Sequence, residues 1–336
     1  MQASRPERYK GIMNRTAAGL RECSAGVIEW LLDGDPAIRW QVLRDLQDAG
    51  EHTFEEERRR ISSEGWGALL LAKQGRDGRW AVGQSSNDGL YSPKWISTTY
   101  TMLTLRDFGL EPDHRTQMAC SLLLDKGIQR DGGINYGWQG GSETCVTGIV
   151  TSILCHFEHA DDRVDRLASH LLEQQMPDGG WNCRRPFGAT HSSVHTTINV
   201  LEGLRLYEAH RRRSLRKVQA AQRRGREFLL AHRLFRSHRT GEVIRSAFTQ
   251  FSFPARWYYD ILRALDYFRA VNAPCDLRLQ EAIDIVRHRR RKDGKWLLQN
   301  VHKGRTYFEL ERTGQPSRWN TLRALRVLKW WDGLVG

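Results

Sequence analysis

The chain has 336 residues, 40% of them hydrophobic and 10% aromatic, enough for one large domain or two average ones. A mean hydropathy of −0.59, with apolar stretches shorter than a bilayer needs, excludes a membrane-spanning class. The formal net charge is +13, and residues 205–245 hold thirteen Lys and Arg against three acids. That run reads as a solvated outer helix or as a peripheral contact with an anionic membrane surface. Nucleic acid is a poor partner, because no aromatics interleave with the basic residues and no nucleic-acid motif accompanies them.

In chain order, residues 1–17 form an N-terminal extension and residues 18–336 a single domain. Residues 1–10 are polar and charged, with no apolar core and cleavage site, so no secretory signal is expected. Six cysteines (Cys23, Cys120, Cys145, Cys155, Cys183, Cys275) lack any CxxC spacing and are expected as cytoplasmic thiols, some of them metal ligands. Amphipathic, charged helices are predicted at 18–32, 55–74, 112–127, 163–175, 214–234 and 276–290. More apolar helices rich in small residues are predicted at 39–46, 96–105, 144–154, 194–204, 258–268 and 318–328. Helices apolar on most sides belong inside and those with one apolar stripe outside.

A short tag recurs between them: QGRDGRW at 74–80, QRDGGI at 129–134, QMPDGGW at 175–181 and RRKDGKW at 290–296. Its Asp-Gly pair supplies a turn that needs positive φ, and its aromatic can pack the turn onto the preceding helix. Trp80, Trp181 and Trp296 are therefore structural. The reading is all-α: an (α/α)6 toroid with six inner and six outer helices. An open solenoid is the rival and would want capping repeats.

The tags resemble the QW-type repeats of squalene and oxidosqualene cyclases, and the helix pairs resemble those of protein prenyltransferase β subunits, from about residue 36 onward. The resemblance implies an enzyme acting on a hydrophobic, isoprenoid substrate or prenyl diphosphate in a central cavity. The Asp-x-Asp-Asp acid of such cyclases is absent, and the nearest pair, Asp161-Asp162, is expected to cap a helix. The prenyltransferase zinc site implies Zn2+ held by Glu143, Cys145 and His195, with Cys183 and His191 as further candidates. The Arg, Lys and Tyr that flank that site in the family are replaced by Gly137, Gly140 and Val146. Lanthipeptide cyclases share the architecture, but their adjacent Cys-His pair is missing.

Aligned by Leu positions, Trp40, Ser97, Cys145, His195, Tyr259 and Trp319 fall at one level and should ring one mouth. Trp40, Trp95, Tyr100, Trp138, Trp257, Tyr258 and Trp319 are candidates to line a greasy pocket. Lys94, Arg184, Arg185, Arg256 and Arg318 are candidates for an anionic group at the rim. The segment Tyr307-Phe308-Glu309, with Arg312, is placed to cover the opening. Two other functions fit the same residues: a metal-free terpenoid cyclase using Glu143 or a tyrosine such as Tyr259, and a non-catalytic toroid binding a lipid or protein.

Overall fold

Local chemistry sets each helix boundary. The computed structural model describes residues 26–84, 87–211 and 215–335, so the expected extension 1–17, Cys23 and most of the first predicted helix lie outside the described residues; residues 26–32 are helical. Helix α1, Pro36–Asp45, starts where the Asp35 carboxylate accepts the Ala37 N–H at 2.9 Å and proline takes the first position. Its second oxygen accepts Trp66 N–H at 2.7 Å. The outer helix predicted at 55–74 is broken into α2, Glu51–Arg59, a 3-10 turn, Arg60–Ser62, and α3, Gly65–Leu71. Gly65, at φ +62°, lies so close to the Asp35 carboxylate that a side chain would collide with it.

Helix α4, Thr98–Phe108, ends at Gly109 in the left-handed region, and α5, His114–Gly127, begins with an Asp113–Thr116 capping box. Helix α6, Thr144–His156, is buried from Thr144 to Cys155. Helix α7, Arg163–Glu173, follows Asp161, whose carboxylate accepts Arg163 N–H at 2.8 Å, so the capping role falls to Asp161. Then come α8, Val194–Arg211, α9, Arg216–Ala231, α10, Ile261–Ala270, α11, Gln280–His288, and α12, Arg318–Val335. The strands among the described residues are two-residue pieces, Trp296–Leu297 paired antiparallel with Pro316–Ser317. The fold is all-α. Among the described residues no helix is long and apolar enough to cross a membrane.

The tags work as three-way ties. Trp80, Trp181 and Trp296 are fully buried, and each indole N–H donates to a carbonyl ten residues back: Leu70 at 2.9 Å, Leu171 at 2.6 Å and Val286 at 2.7 Å. Their backbone N–H groups donate forward, to Thr98, Thr197 and Thr321 hydroxyls at 3.0 Å, and Ile134 does the same to Thr147 at 2.9 Å. The glutamines reach the next outer helix: Gln74 donates to Arg115 O and Gln175 to Ala221 O. The tag glycines 78, 132, 179 and 294 all take positive φ. At Gly179 a Cβ would sit 2.6 Å from Arg224 O.

The inner helices meet in sequence. Trp40 Nε1 donates to Phe108 O at 2.7 Å (α1 to α4), and Arg106 donates to Ser152 at 2.6 Å (α4 to α6). Helices α6 and α8 approach most closely, because a Cβ on Gly148 would lie 2.7 Å from Asn199 O. Arg263 donates to Glu202 at 2.7 Å (α8 to α10), and Arg326 Nε to Asp266 at 2.8 Å (α10 to α12). Arg326 also donates to Gln41 at 2.7 Å, which returns the sequence to α1.

Among the described residues, part of the basic run 205–245 is tied into the fold. Arg211 pairs with Asp165 at 2.8 Å, Arg236 with Glu281, and Arg205 is half-buried on α8.

If the tags hold the helices as described, Trp181→Ala lowers unfolding free energy by about 3–5 kcal/mol and Thr197→Val by about 1–3 kcal/mol in urea titration. Losses under about 0.5 kcal/mol for both would show that the ties are incidental.

Candidate functional site

Two loops and the start of α6 gather the ionisable residues of one mouth. Glu143 is the residue just before α6, anchored by its N–H to Ile134 O at 2.8 Å, and its carboxylate makes no capping bond. Burial, reinforced by the charge of Cys183, pushes the Glu143 carboxyl up to about 7 against the pull of Lys94. Cys145, in the first turn of α6, is buried, and its thiol hydrogen-bonds to Cys183, a contact that raises the Cys145 thiol and lowers that of Cys183. The Thr196 hydroxyl and the charge of Arg184 also lower Cys183.

Lys94 Nζ lies 5.2 Å from the Tyr91 ring centre, 5.5 Å from that of Trp257 and 5.7 Å from that of Trp95. Burial lowers its pKa while Glu143 and Cys145 raise it. Tyr100 donates to the Tyr91 hydroxyl at 2.8 Å, and Trp95 meets Tyr100 edge-on at 4.7 Å. This is a cluster of perturbed groups against aromatic faces, the arrangement that marks reactive sites.

His195 is not part of it. Its Nδ1 accepts the Tyr259 N–H at 2.9 Å, and its ring packs edge-on against Phe248 and Trp257, both at 5.3 Å. The expected Cys145–His195 pair is therefore not made: the second position of α8 turns toward the segment before α10, while that of α6 turns toward the 183 loop. His191 is exposed, between Thr190 and Arg239. Among the described residues no three His, Cys, Asp or Glu side chains converge as a metal site. Zinc at Glu143, Cys145, Cys183, His191 and His195 therefore has no support from the side-chain geometry, and no chemistry below is routed through one.

The other expected residues separate as well. Tyr259 is buried with its hydroxyl donated to Leu234 O at 2.6 Å, and burial pushes its pKa well above the usual value; it is a packing residue here. Trp40 lies a full turn into α1, which begins at Pro36, so the level ring drawn from Leu positions is staggered. Trp138 packs on Phe187 at 5.1 Å, and Tyr258 stacks between Trp257 at 4.0 Å and His302 at 3.9 Å. Arg184 and Arg185 are exposed, and Arg185 donates to Glu173 O. Arg318 points outward, its guanidinium 4.5 Å from the Trp30 ring centre.

Two cavities formed by the described residues bear on these side chains. One of about 330 Å³ is walled by Trp95, Phe253, Pro254, Arg256 and the 301–313 segment, including Tyr307, Phe308 and Glu309. That segment is tied down by Trp95 Nε1 donating to His302 O at 2.8 Å and Tyr307 donating to Ile96 O at 3.0 Å. The second, about 550 Å³, is central and touched by residues of all six inner helices; Trp40, Trp319 and Arg256 border it. The greasy lining expected at the centre is replaced there by arginines. Tyr100, Trp138, Trp257 and Tyr258 border neither cavity. The signal for the charged centre was present: Arg106, Glu202, Arg263, Asp266, Arg323 and Arg326 interrupt otherwise apolar helices.

No protein-family model matches the chain, and no curated protein matches it. Among solved structures it is similar to type II terpene cyclase MstE from Scytonema. A variant of that enzyme with its product merosterolic acid A is 10% identical, and both a variant with the substrate geranylgeranyl dihydroxybenzoate and the apo enzyme are 12% identical. Each alignment covers 80% of this chain and 95% of the other, at a TM-score of 0.32. A likeness of that size carries no statement about this chain's chemistry.

The thiol pair gives a direct test. Alkylation of Cys183 by iodoacetamide, followed by mass spectrometry across pH, should have its midpoint below the ordinary thiol value of about 8.5. Cys145→Ser should shift that midpoint. An ordinary midpoint in the wild type, unmoved by the substitution, contradicts the pairing.

Proposed function

We propose that the chain is an (α/α)6 toroid of the prenyltransferase and squalene-cyclase type, and an enzyme that acts on a hydrophobic, isoprenoid-like substrate by proton transfer from Glu143. The toroid is supported by the seams that run from α1 through α12 and back, and by a central cavity bordered by all six inner helices. The enzymatic reading rests on one observation: a carboxyl raised to about 7 at the start of an inner helix, next to Tyr91, Tyr100 and Trp95.

A carboxylic acid that keeps its proton to near-neutral pH can give it to an alkene carbon, which the Asp-x-Asp-Asp acid does in the cyclases that the tags resemble. The bond formed is C–H, the bond broken is the Glu143 O–H, and the pair of π electrons supplies the new bond. The carbon left positive faces tyrosine and tryptophan π-clouds, which stabilise a cation by about 0.5–2 kcal/mol per ring. Loss of a proton from a neighbouring carbon, or capture of water, closes the sequence. Cys183, anionic nearby, disfavours ionised Glu143 and so keeps the proton in place.

The sign of the pH dependence follows. Burial raises the Glu143 pKa, so the active acid form is present below about 7 and is lost as pH rises through it. Incubation with squalene, geranylgeraniol and geranylgeranyl diphosphate, with products followed by gas chromatography and mass spectrometry, should show turnover that falls above that pH. Glu143→Gln should reduce kcat by roughly 10²–10⁴-fold. Equal turnover in wild type and Glu143→Gln, or no conversion of any of the three, overturns the reading.

A further inference from the structure

The central cavity carries a charge its own residues do not balance. Nine arginines border it against four carboxylates, Asp45, Asp107, Glu202 and Asp266; Glu55 and Asp260, just outside the lining, pair with Arg58 and Arg323, which leaves an excess of three positive charges (9 − 6). The C-terminal ends of α1, α4, α6 and α10 also border it, each contributing about half a negative charge, or roughly 2 together. The cations still exceed the negative charge, and the excess falls on arginines that have no ion pair.

The carboxylates are already shared out. Glu202 holds Arg106 at 3.2 Å and Arg263 at 2.7 Å. Asp266 holds Arg269 and Arg326, and Asp45 holds Arg44 at 2.7 Å and Arg326 at 3.1 Å. Asp107 is taken by Arg106 at 2.6 Å.

Two arginines are left over. Arg205 is half-buried, makes no ion pair within 4.0 Å among the described residues, and its buried Nε has no hydrogen-bond partner. Arg256 is buried and makes no ion pair within 4.0 Å among the described residues; its side-chain partners are the Thr104 hydroxyl, at 2.7 Å, and the Trp95 ring, whose centre lies 5.6 Å from the guanidinium. Its residue sits at φ +58°, held in the left-handed region just after Pro254. Burial lowers both guanidinium pKa values, that of Arg256 to about 10. The same surroundings push neighbouring His156 down to about 3, through its own burial and the charges of Arg106, Arg58 and Arg205, so it adds no further charge. A guanidinium held away from water without a counter-charge is costly, so a protein that keeps Arg256 and the Arg205 Nε unpaired on one cavity is built to meet a counter-charge there.

We propose that this cavity is a binding site for a small polyanion carrying two or more oxyanion groups, engaged by Arg205 and Arg256. The guanidinium fork suits phosphate and carboxylate oxygens alike through paired N–H donors. At about 550 Å³ the cavity falls within the size range of small-ligand sites, roughly 300–1,000 Å³. The site stands apart from Glu143, which borders neither cavity, and does not depend on the acid chemistry proposed above.

The probes are inorganic pyrophosphate and citrate, which separate a phosphate from a carboxylate ligand. Calorimetry on the full chain should show one pyrophosphate or citrate bound per chain, with a rise in melting temperature and an affinity that falls with salt. Arg205→Met and Arg256→Met should each weaken that binding roughly ten- to a hundredfold. Arg115→Met, at an exposed position, should leave it unchanged. Because Arg205→Met and Arg256→Met each remove a charge without an ion pair, these ligand-free variants should melt at or above the wild type, which separates lost binding from lost folding. The 31P line of pyrophosphate, broadened by wild-type protein, reports the same event without any variant. Binding that is equal in wild type and both Met variants, or no binding of either anion, overturns the proposal.

Discussion

A buried tryptophan that hydrogen-bonds in both directions along the chain is the constraint from which the rest of this structure follows. The indole N–H of each tag Trp closes the end of one outer helix, and its backbone N–H reaches a threonine on the next inner helix. Where the tag begins with glutamine, as at Gln74 and Gln175, the side-chain amide extends the tie to the following outer helix. One seven-residue turn thus fixes three helices relative to one another. The Asp-Gly pair is needed because the backbone must reverse within van der Waals contact of the next outer helix, as at Gly179. Repeating that unit leaves little freedom in where the inner helices lie, and their N-terminal starts are set by it.

A second interaction then decides what the centre is like. Helices that meet around a common space could be joined by apolar packing alone, and α6 and α8 are, through Gly148 and Gly203. The other seams are largely polar: Arg106 to Ser152, Arg263 to Glu202 and Asn199, Arg326 to Asp266 and Gln41. Buried pairs of this kind add little net stability over apolar packing, because desolvation offsets most of the attraction, but they specify which helix meets which. A side effect is an interior crowded with guanidinium groups. Chemistry that needs an apolar surrounding is thereby confined to the mouth, where Glu143, Tyr91, Tyr100 and Trp95 gather, and to the smaller cavity beneath the 301–313 segment.

The helical class and the repeat were legible because the tags are local: QxxDGGW carries its own turn, its own aromatic and its own glutamine. The starts of the inner helices from α4 onward came within three residues for the same reason, while α8 and α12 run seven residues past their expected ends. The break in the outer helix between Ser62 and Gly65 was not legible, since it depends on Asp35 filling the space that a side chain at Gly65 would need. The mouth was legible in part. Cys145, Cys183 and Glu143 do come together, because the tag before α8 brings the 183 loop over the start of α6. The partners of His195, Tyr259 N–H, Phe248 and Trp257, were not legible, because Leu periodicity gives the height of a residue along a helix but not its rotation about the axis; a difference of one position turns a side chain by about 100°. The arginine-lined centre was missed for a different reason. Charges on apolar helices read as isolated exceptions until six helices place them in one space.

Everything here requires that the first and last inner helices meet. The pair to measure is Asp48 and Lys329, which join the α1 end to α12 with Nζ 2.7 Å from the carboxylate and are both accessible to reagents. With both residues replaced by cysteine, a short bis-maleimide should link residues 48 and 329 within one chain, detected as a cross-linked peptide by mass spectrometry of the monomer. If the cysteines are modified singly and no such link forms, the helices do not close on one another, and neither the shared cavity nor its ligand has a place to be.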